Sequence, residues 1–84
     1  MTTQFVGDYL EEKIKANPYY IVCTYFDFRV RNNQPEEEMF EFLNLSKNKL
    51  ENMGYKVYFK GEKYIYNNVT KVVKDNELFV AIKS

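Results

Sequence analysis

The stretch that decides the fold is Pro35 to Tyr66, PEEEMFEFLNLSKNKLENMGYKVYFKGEKYIY. Its first part reads as one amphipathic helix. Asn33 stands where an N-cap would stand, and Glu36 follows three residues later, the spacing of a capping box. Pro35 is tolerated in a first turn, where the missing N–H has no intrahelical partner. Glu36, Glu37 and Glu38 suit the positive end of a helix dipole, and Lys47 and Lys49 lie toward the negative end. At about 100° per residue, Met39, Leu43, Ser46, Leu50 and Met53 fall on one line. Phe40 and Phe42 flank that line and Leu45 falls off it, so Met39, Phe42 and Met53 read as core rather than as a ligand box. Gly54 ends the helix, because glycine enters the left-handed region at a C-terminal cap without strain.

Beyond Gly54 the period changes to two. Tyr55 to Lys60 and Lys63 to Tyr66 read as strands around a turn near Gly61-Glu62. A two-residue loop sets Lys60 against Lys63, which is unfavourable, so the longer loop is preferred, with Phe59 opposite Lys63 and Val57 opposite Ile65. Asn67-Asn68 is the next turn. Val69 to Lys74 and Glu77 to Lys83 read as a second hairpin around Asp75-Asn76, with Lys74 opposite Glu77, Val73 opposite Leu78 and Val69 opposite Ile82.

Upstream, Thr2 or Thr3 caps a first helix whose inner stripe is Phe5, Val6, Tyr9, Leu10 and Ile14. Asn17-Pro18 closes it, since the residue before proline avoids the helical region. Tyr19 to Arg31 reads as one strand. Tyr20, Val22, Thr24, Phe26, Phe28 and Val30 line one face; Tyr19, Ile21, Cys23 and Tyr25, then Asp27, Arg29 and Arg31, line the other. Thirteen extended residues span about 43 Å, far beyond an ordinary strand, so this one bends, bulges or projects from its sheet.

The order α-β-α-β-β-β-β, all within one domain spanning 1–84, predicts an α+β fold: a twisted, mostly antiparallel sheet with two helices packed on one face. Short links on either side of the Pro35 helix favour a right-handed crossover between the strands it joins, and an antiparallel placement of the first strand stays open. If both helices cover the Tyr20/Val22 face, then Tyr19, Ile21, Cys23 and Tyr25 form an exposed apolar patch. If one helix lies on each face, those four are core.

Bulk composition narrows the chemistry. The 84 residues carry no net charge, yet 1–42 hold four basic and eight acidic side chains while 43–84 hold eight and four. Such a molecule is dipolar and favours oriented docking or self-association. A single cysteine excludes an internal disulfide, and no secretory leader or long apolar run is present, which predicts a cytoplasmic protein without a membrane span. Eight Tyr and seven Phe, with abundant Lys, Asn and Ile and no Trp or His, fit an AT-rich genome, hence a low-GC bacterium or its phage.

Catalytic signatures are missing from the sequence. Cys23 has no histidine to activate it. Zinc and redox metals lack ligands, Glu36, Glu37, Glu38 and Glu41 do not follow EF-hand spacing, and Gly7, Gly54 and Gly61 are too scattered for a phosphate loop. The expectation is a non-enzymatic binding module without metal or cofactor.

Two contact modes follow. Tyr19, Ile21 and Tyr25 on the second strand face, together with the tyrosines after Gly54, have the composition of a protein interface. They point to a protein partner, for instance a host protein inhibited by a phage or mobile element, and allow a homodimer. Alternatively, the interleaved Lys56, Tyr58, Lys60, Lys63, Tyr64 and Tyr66 are the residue types with which single-strand nucleic-acid binders stack bases and track phosphates. A third idea, acidic mimicry of a phosphate backbone, would use Asp8, Glu11, Glu12, Glu36, Glu37, Glu38 and Glu41.

Overall fold

A computed structural model describes residues 3–84. Helix α1 runs over Thr3–Ala16, strand β1 over Tyr20–Thr24, helix α2 over Met39–Asn52, and strands β2 to β5 over Tyr55–Phe59, Lys63–Tyr66, Val69–Val72 and Glu77–Lys83. The proposed cap at Thr2 lies outside the described residues. The fold class and element order are those expected from the sequence: an α+β domain with antiparallel sheets and two helices on one face.

The strand pairing differs from expectation. Strand β5 occupies the middle of a three-stranded sheet and pairs antiparallel with both β1 and β2. Strands β1 and β2, joined through α2, therefore run parallel to each other with β5 between them. Strands β3 and β4 form a separate hairpin. Neither expected hairpin exists: Phe59 faces Phe79 rather than Lys63, and Val57 faces Ala81 rather than Ile65. Likewise Ile82 faces Tyr20 and Lys56 rather than Val69. The decisive feature is Asn67-Asn68. Both residues have positive φ, 53° and 64°, as a type I′ turn requires, and they form the two-residue loop that joins Tyr66 to Val69. At Asp75-Asn76 the chain turns tightly, held by the Glu77 amide on the Lys74 carbonyl and the Lys74 amide on Glu77 Oε1, but β5 then leaves β4 to join β1 and β2.

The long first strand is also corrected. It ends at Thr24, where a bulge shifts the register with β5, and the chain coils into a π-helical turn over Asp27–Arg31. Thr24 Oγ1 accepts the Asp27 amide at 3.1 Å and so caps the turn. The alternation of Phe26, Phe28 and Val30 with charged residues is thus not a pleat: Phe28 is buried while Phe26 and Val30 are exposed. Asn33, expected as an N-cap, instead adopts φ 50° in the loop. Pro35 stays extended and precedes a 3-10 turn over Glu36–Glu38, and no side chain caps it. Only then does α2 begin.

Three layers result. Val6, Tyr9 and Leu10 of α1 and Phe42 and Leu50 of α2 pack with Ile21, Cys23, Phe79 and Ala81 on one face of the sheet. On the opposite face the β3–β4 hairpin folds back, so that Tyr64, Tyr66 and Val73 cover Tyr20, Val22, Tyr58, Val80 and Ile82. Both faces of β5 are therefore buried, which explains its nearly continuous apolar run of Leu78 to Ile82. Leu45, off the α2 arc by angle, still packs against the core, whereas Phe40 and Met53 point to solvent. Gly54, at φ 91°, closes α2 as expected, and Lys83 of β5 donates to the Met53 carbonyl at that helix end.

Candidate contact surface

The residues singled out from the sequence scatter over the fold. Ile21 is buried under the helices, so it is core and not contact surface. The Ile21/Cys23 side is the helix-covered one, with its ends left out: Tyr19 is exposed beside Pro18 and Met53, and Tyr25 lies where the strand gives way to coil. Lys56, Lys60 and Lys63 are exposed. Tyr64 is buried, and Tyr58 and Tyr66 are half-buried.

The tyrosines of the hairpin are engaged with one another. Tyr20 and Tyr66 stack at 4.4 Å between ring centroids, Tyr58 lies 5.5 Å from Tyr64, and the Tyr20 and Tyr64 hydroxyls are hydrogen-bonded at 2.9 Å. Lys71 Nζ caps the Tyr20 ring at 5.7 Å, and Lys56 Nζ does the same for Tyr58 at 5.7 Å. Burial, then the hydrogen bond with Tyr20, pushes the Tyr64 phenol well above its ordinary pKa, so it stays protonated. These rings are the glue between hairpin and sheet and do not form a free stacking platform.

A second polar group, not foreseen from the sequence, lies where α1 meets the π-helical turn. Asp27 is buried there. Tyr9 donates its hydroxyl proton to Asp27 Oδ2 at 2.9 Å, Lys13 Nζ approaches the same oxygen at 3.1 Å, and Arg31 Nε stands 3.8 Å from Oδ1. Asn32 Nδ2 donates to the Asp27 carbonyl at 2.7 Å, and Arg29 donates to the Gln34 carbonyl at 2.5 Å, so the whole turn is fastened. Cys23 lies beside this cluster. Burial pushes its thiol up to about 12, with the Tyr9 bond opposing and the Asp27 charge adding to the rise. A thiol held neutral is a poor nucleophile. No group of three or more potential metal ligands occurs among the described residues, and none of their helices is long and apolar enough to cross a membrane.

Large apolar side chains stay in solvent between residues 25 and 40, as Tyr19, Met53, Ile65, Val69 and Val72 do elsewhere. Phe26 is 54% exposed, Val30 60% and Phe40 77%, and Tyr25 is also on the surface. The Tyr25 hydroxyl donates to Glu36 Oε1 at 3.3 Å, which ties the π-turn segment to the 3-10 turn ahead of α2, four residues before Phe40. Glu36, Glu37 and Glu41 are exposed in the same segment. The sequence placed Phe26 on a strand face and Phe40, with Phe42, on the flanks of the apolar helix arc. The missed signal was that Phe40 and Phe42 lie about 200° apart on a helix, so both cannot face inward. Compared with protein-family models, curated proteins and solved structures, the chain matches none.

Proposed function

We propose that this protein acts by occupying a partner protein through the surface of Tyr25, Phe26, Val30 and Phe40, rimmed by Glu36, Glu37 and Glu41, without chemistry of its own. The observation that carries this reading is Phe40, 77% exposed two residues from the fully buried Phe42. Leaving large apolar side chains in water beside charged residues is what a contact surface does: aromatic anchors inside, polar groups around them. Inhibition of a host protein by a phage or mobile element in a reducing cytoplasm is the biological setting that the lone thiol and AT-rich composition fit.

Nucleic-acid binding through the Lys/Tyr hairpin has weaker support, because Tyr20, Tyr58, Tyr64 and Tyr66 spend their ring faces on each other and on lysines.

The test is quantitative capture from a bacterial lysate with wild type, with Phe26→Ser/Phe40→Ser, and with Lys60→Glu/Lys63→Glu as bait, each with and without nuclease. Under this reading a nuclease-resistant partner is lost only with the phenylalanine variant. Capture that vanishes with nuclease and with the lysine variant would move the assignment to nucleic acid.

A further inference from the structure

The same helix-side surface has its complement on the opposite side of the molecule, and we infer that one partner is a second copy of this chain, bound head to tail. This rests on the contact reading above and names an occupant for it. The solvent face of α2 carries Phe40, Glu41, Asn44, Asn48 and Glu51, all exposed, with Glu37 just before it. Lys47 shares that face but is half-buried, its Nζ leaning 5.9 Å over the Phe59 ring of β2, and Lys49, also half-buried, lies on the other side of the helix.

The outer face of the β3–β4 hairpin reads the other way. Tyr64 and Tyr66 turn inward, so their neighbours Lys63 and Ile65 turn out, opposite Val72 and Thr70. All four are exposed, Ile65 at 67% and Val72 at 46%. Lys60 and Lys74 flank them. The nearby acid, Glu62, is occupied in part, since its carboxylate accepts the Phe59 amide at 2.6 Å. The helix face thus carries Glu37, Glu41 and Glu51, and the hairpin face carries Lys63 with Lys60 and Lys74 beside it.

These surfaces match in kind. One is acidic with a protruding aromatic ring; the other is basic with an aliphatic floor formed by Ile65 and Val72. They also lie on opposite faces of the central sheet, because α2 packs on the Ile21/Ala81 side and the hairpin on the Tyr20/Ile82 side. One molecule cannot bring its own two surfaces together. Two copies can, and the contact is then heterologous: every added copy presents the same unused pair, so growth is open-ended unless the rotation closes a ring. Placing a helix on the outside of a two-stranded sheet repeats the helix-on-sheet packing inside the domain. A lasting interface needs about 800 Å² from each partner. One face of a fourteen-residue helix against a hairpin of two four-residue strands supplies less, which places the association among weak, salt-sensitive contacts.

Sedimentation velocity from about 10 μM to about 1 mM, at low ionic strength and again at about 0.5 M salt, tests this. Variants Glu37→Lys/Glu41→Lys and Lys63→Glu are run alone and mixed, with thermal melts to confirm folding. The inference requires a sedimentation coefficient that climbs past the dimer with concentration at low salt and falls back at high salt. Each variant alone must stay monomeric, and the mixture must associate again, because the reversed faces are once more complementary. A wild-type monomer throughout, saturation at a dimer, or association indifferent to the charge reversals overturns it. In the monomer case, capture of a lysate protein that depends on Phe26 and Phe40 still leaves the contact reading standing, so the two ideas fail separately.

Discussion

Replacing Asp27 with alanine tests whether the buried carboxylate holds the π-helical turn against α1. Three terms enter. The Tyr9 hydroxyl, buried with its ring, loses its acceptor, and an unsatisfied buried donor costs about 1–3 kcal/mol. Lys13 loses a partner at 3.1 Å; its side chain is about a third exposed, so this adds no more than about 1 kcal/mol. Arg31 lies farther away on a largely exposed side chain and contributes nothing measurable. The sum is about 1–4 kcal/mol, with a central value of about 2 kcal/mol. Asp27→Asn keeps an oxygen for Tyr9 and gives up only the charge, so about 1 kcal/mol is expected from it. With a urea dependence near 1 kcal/mol/M for a domain of this size, Asp27→Ala lowers the denaturation midpoint by about 2 M and Asp27→Asn by about 1 M. Tyr9→Phe completes a double-mutant cycle, whose coupling isolates the Tyr9–Asp27 bond. A shift below about 0.5 M for Asp27→Ala, or equal shifts for Ala and Asn, would refute the argument.

Three further outcomes are expected. Ser46 is fully buried in α2, and its hydroxyl has no hydrogen-bond partner among the described residues, so Ser46→Ala should raise stability by about 1 kcal/mol, read from urea melts. Asn68 occupies a left-handed position in the type I′ loop; Asn68→Gly should be neutral or stabilising by a few tenths of a kcal/mol, whereas Asn68→Val should cost about 1 kcal/mol or more. Burial raises the Cys23 thiol, from an ordinary value of 9.0 to about 12, and raises the Tyr9 and Tyr64 phenols. Above pH 9 the native state therefore keeps protons that the unfolded chain releases, and stability falls as pH rises toward 12. The urea midpoint should drop between pH 8 and pH 10.5, and a thiol reagent at pH 8 should leave Cys23 unmodified until the protein unfolds; rapid native-state labelling would show the thiol is not held as described.

The helices were legible because their signals are local. Pro35, the glutamates after it and Gly54 delimit α2 to within a few residues, and Val6, Tyr9 and Leu10 carry the inner face of α1 as the periodicity indicates. Strand existence was legible too, but partner choice was not. Nothing local in Tyr55 to Phe59 says that it pairs with Glu77 to Lys83 instead of the nearer Lys63 to Tyr66; a buried central strand and an Asn-Asn loop settle that jointly. The Tyr19 to Arg31 error has a different origin. Phe26, Phe28 and Val30 alternate by chance with Asp27, Arg29 and Arg31, and only contacts with Tyr9, Lys13 and Asn32, distant or across the turn, make the coil preferable. The exposure of Phe26 and Val30 was missed for the same reason: the loss of pleat at Thr24 turns them outward.

The position of β5 bears on how the chain reaches this state. The strand in the middle of the sheet is the last of the three to be made, and its neighbours β1 and β2 touch each other only through it. A growing chain can coil α1 and α2 and close the Asn67-Asn68 hairpin early, since those contacts are local, but the sheet has no ladder until Glu77 to Lys83 arrives. The sheet therefore forms only once β5 has been made, and its formation requires closure of a loop of about fifty residues between β1 and β5. Until then two apolar strand edges stand open, the state in which such a chain is most exposed to aggregation and to chaperones.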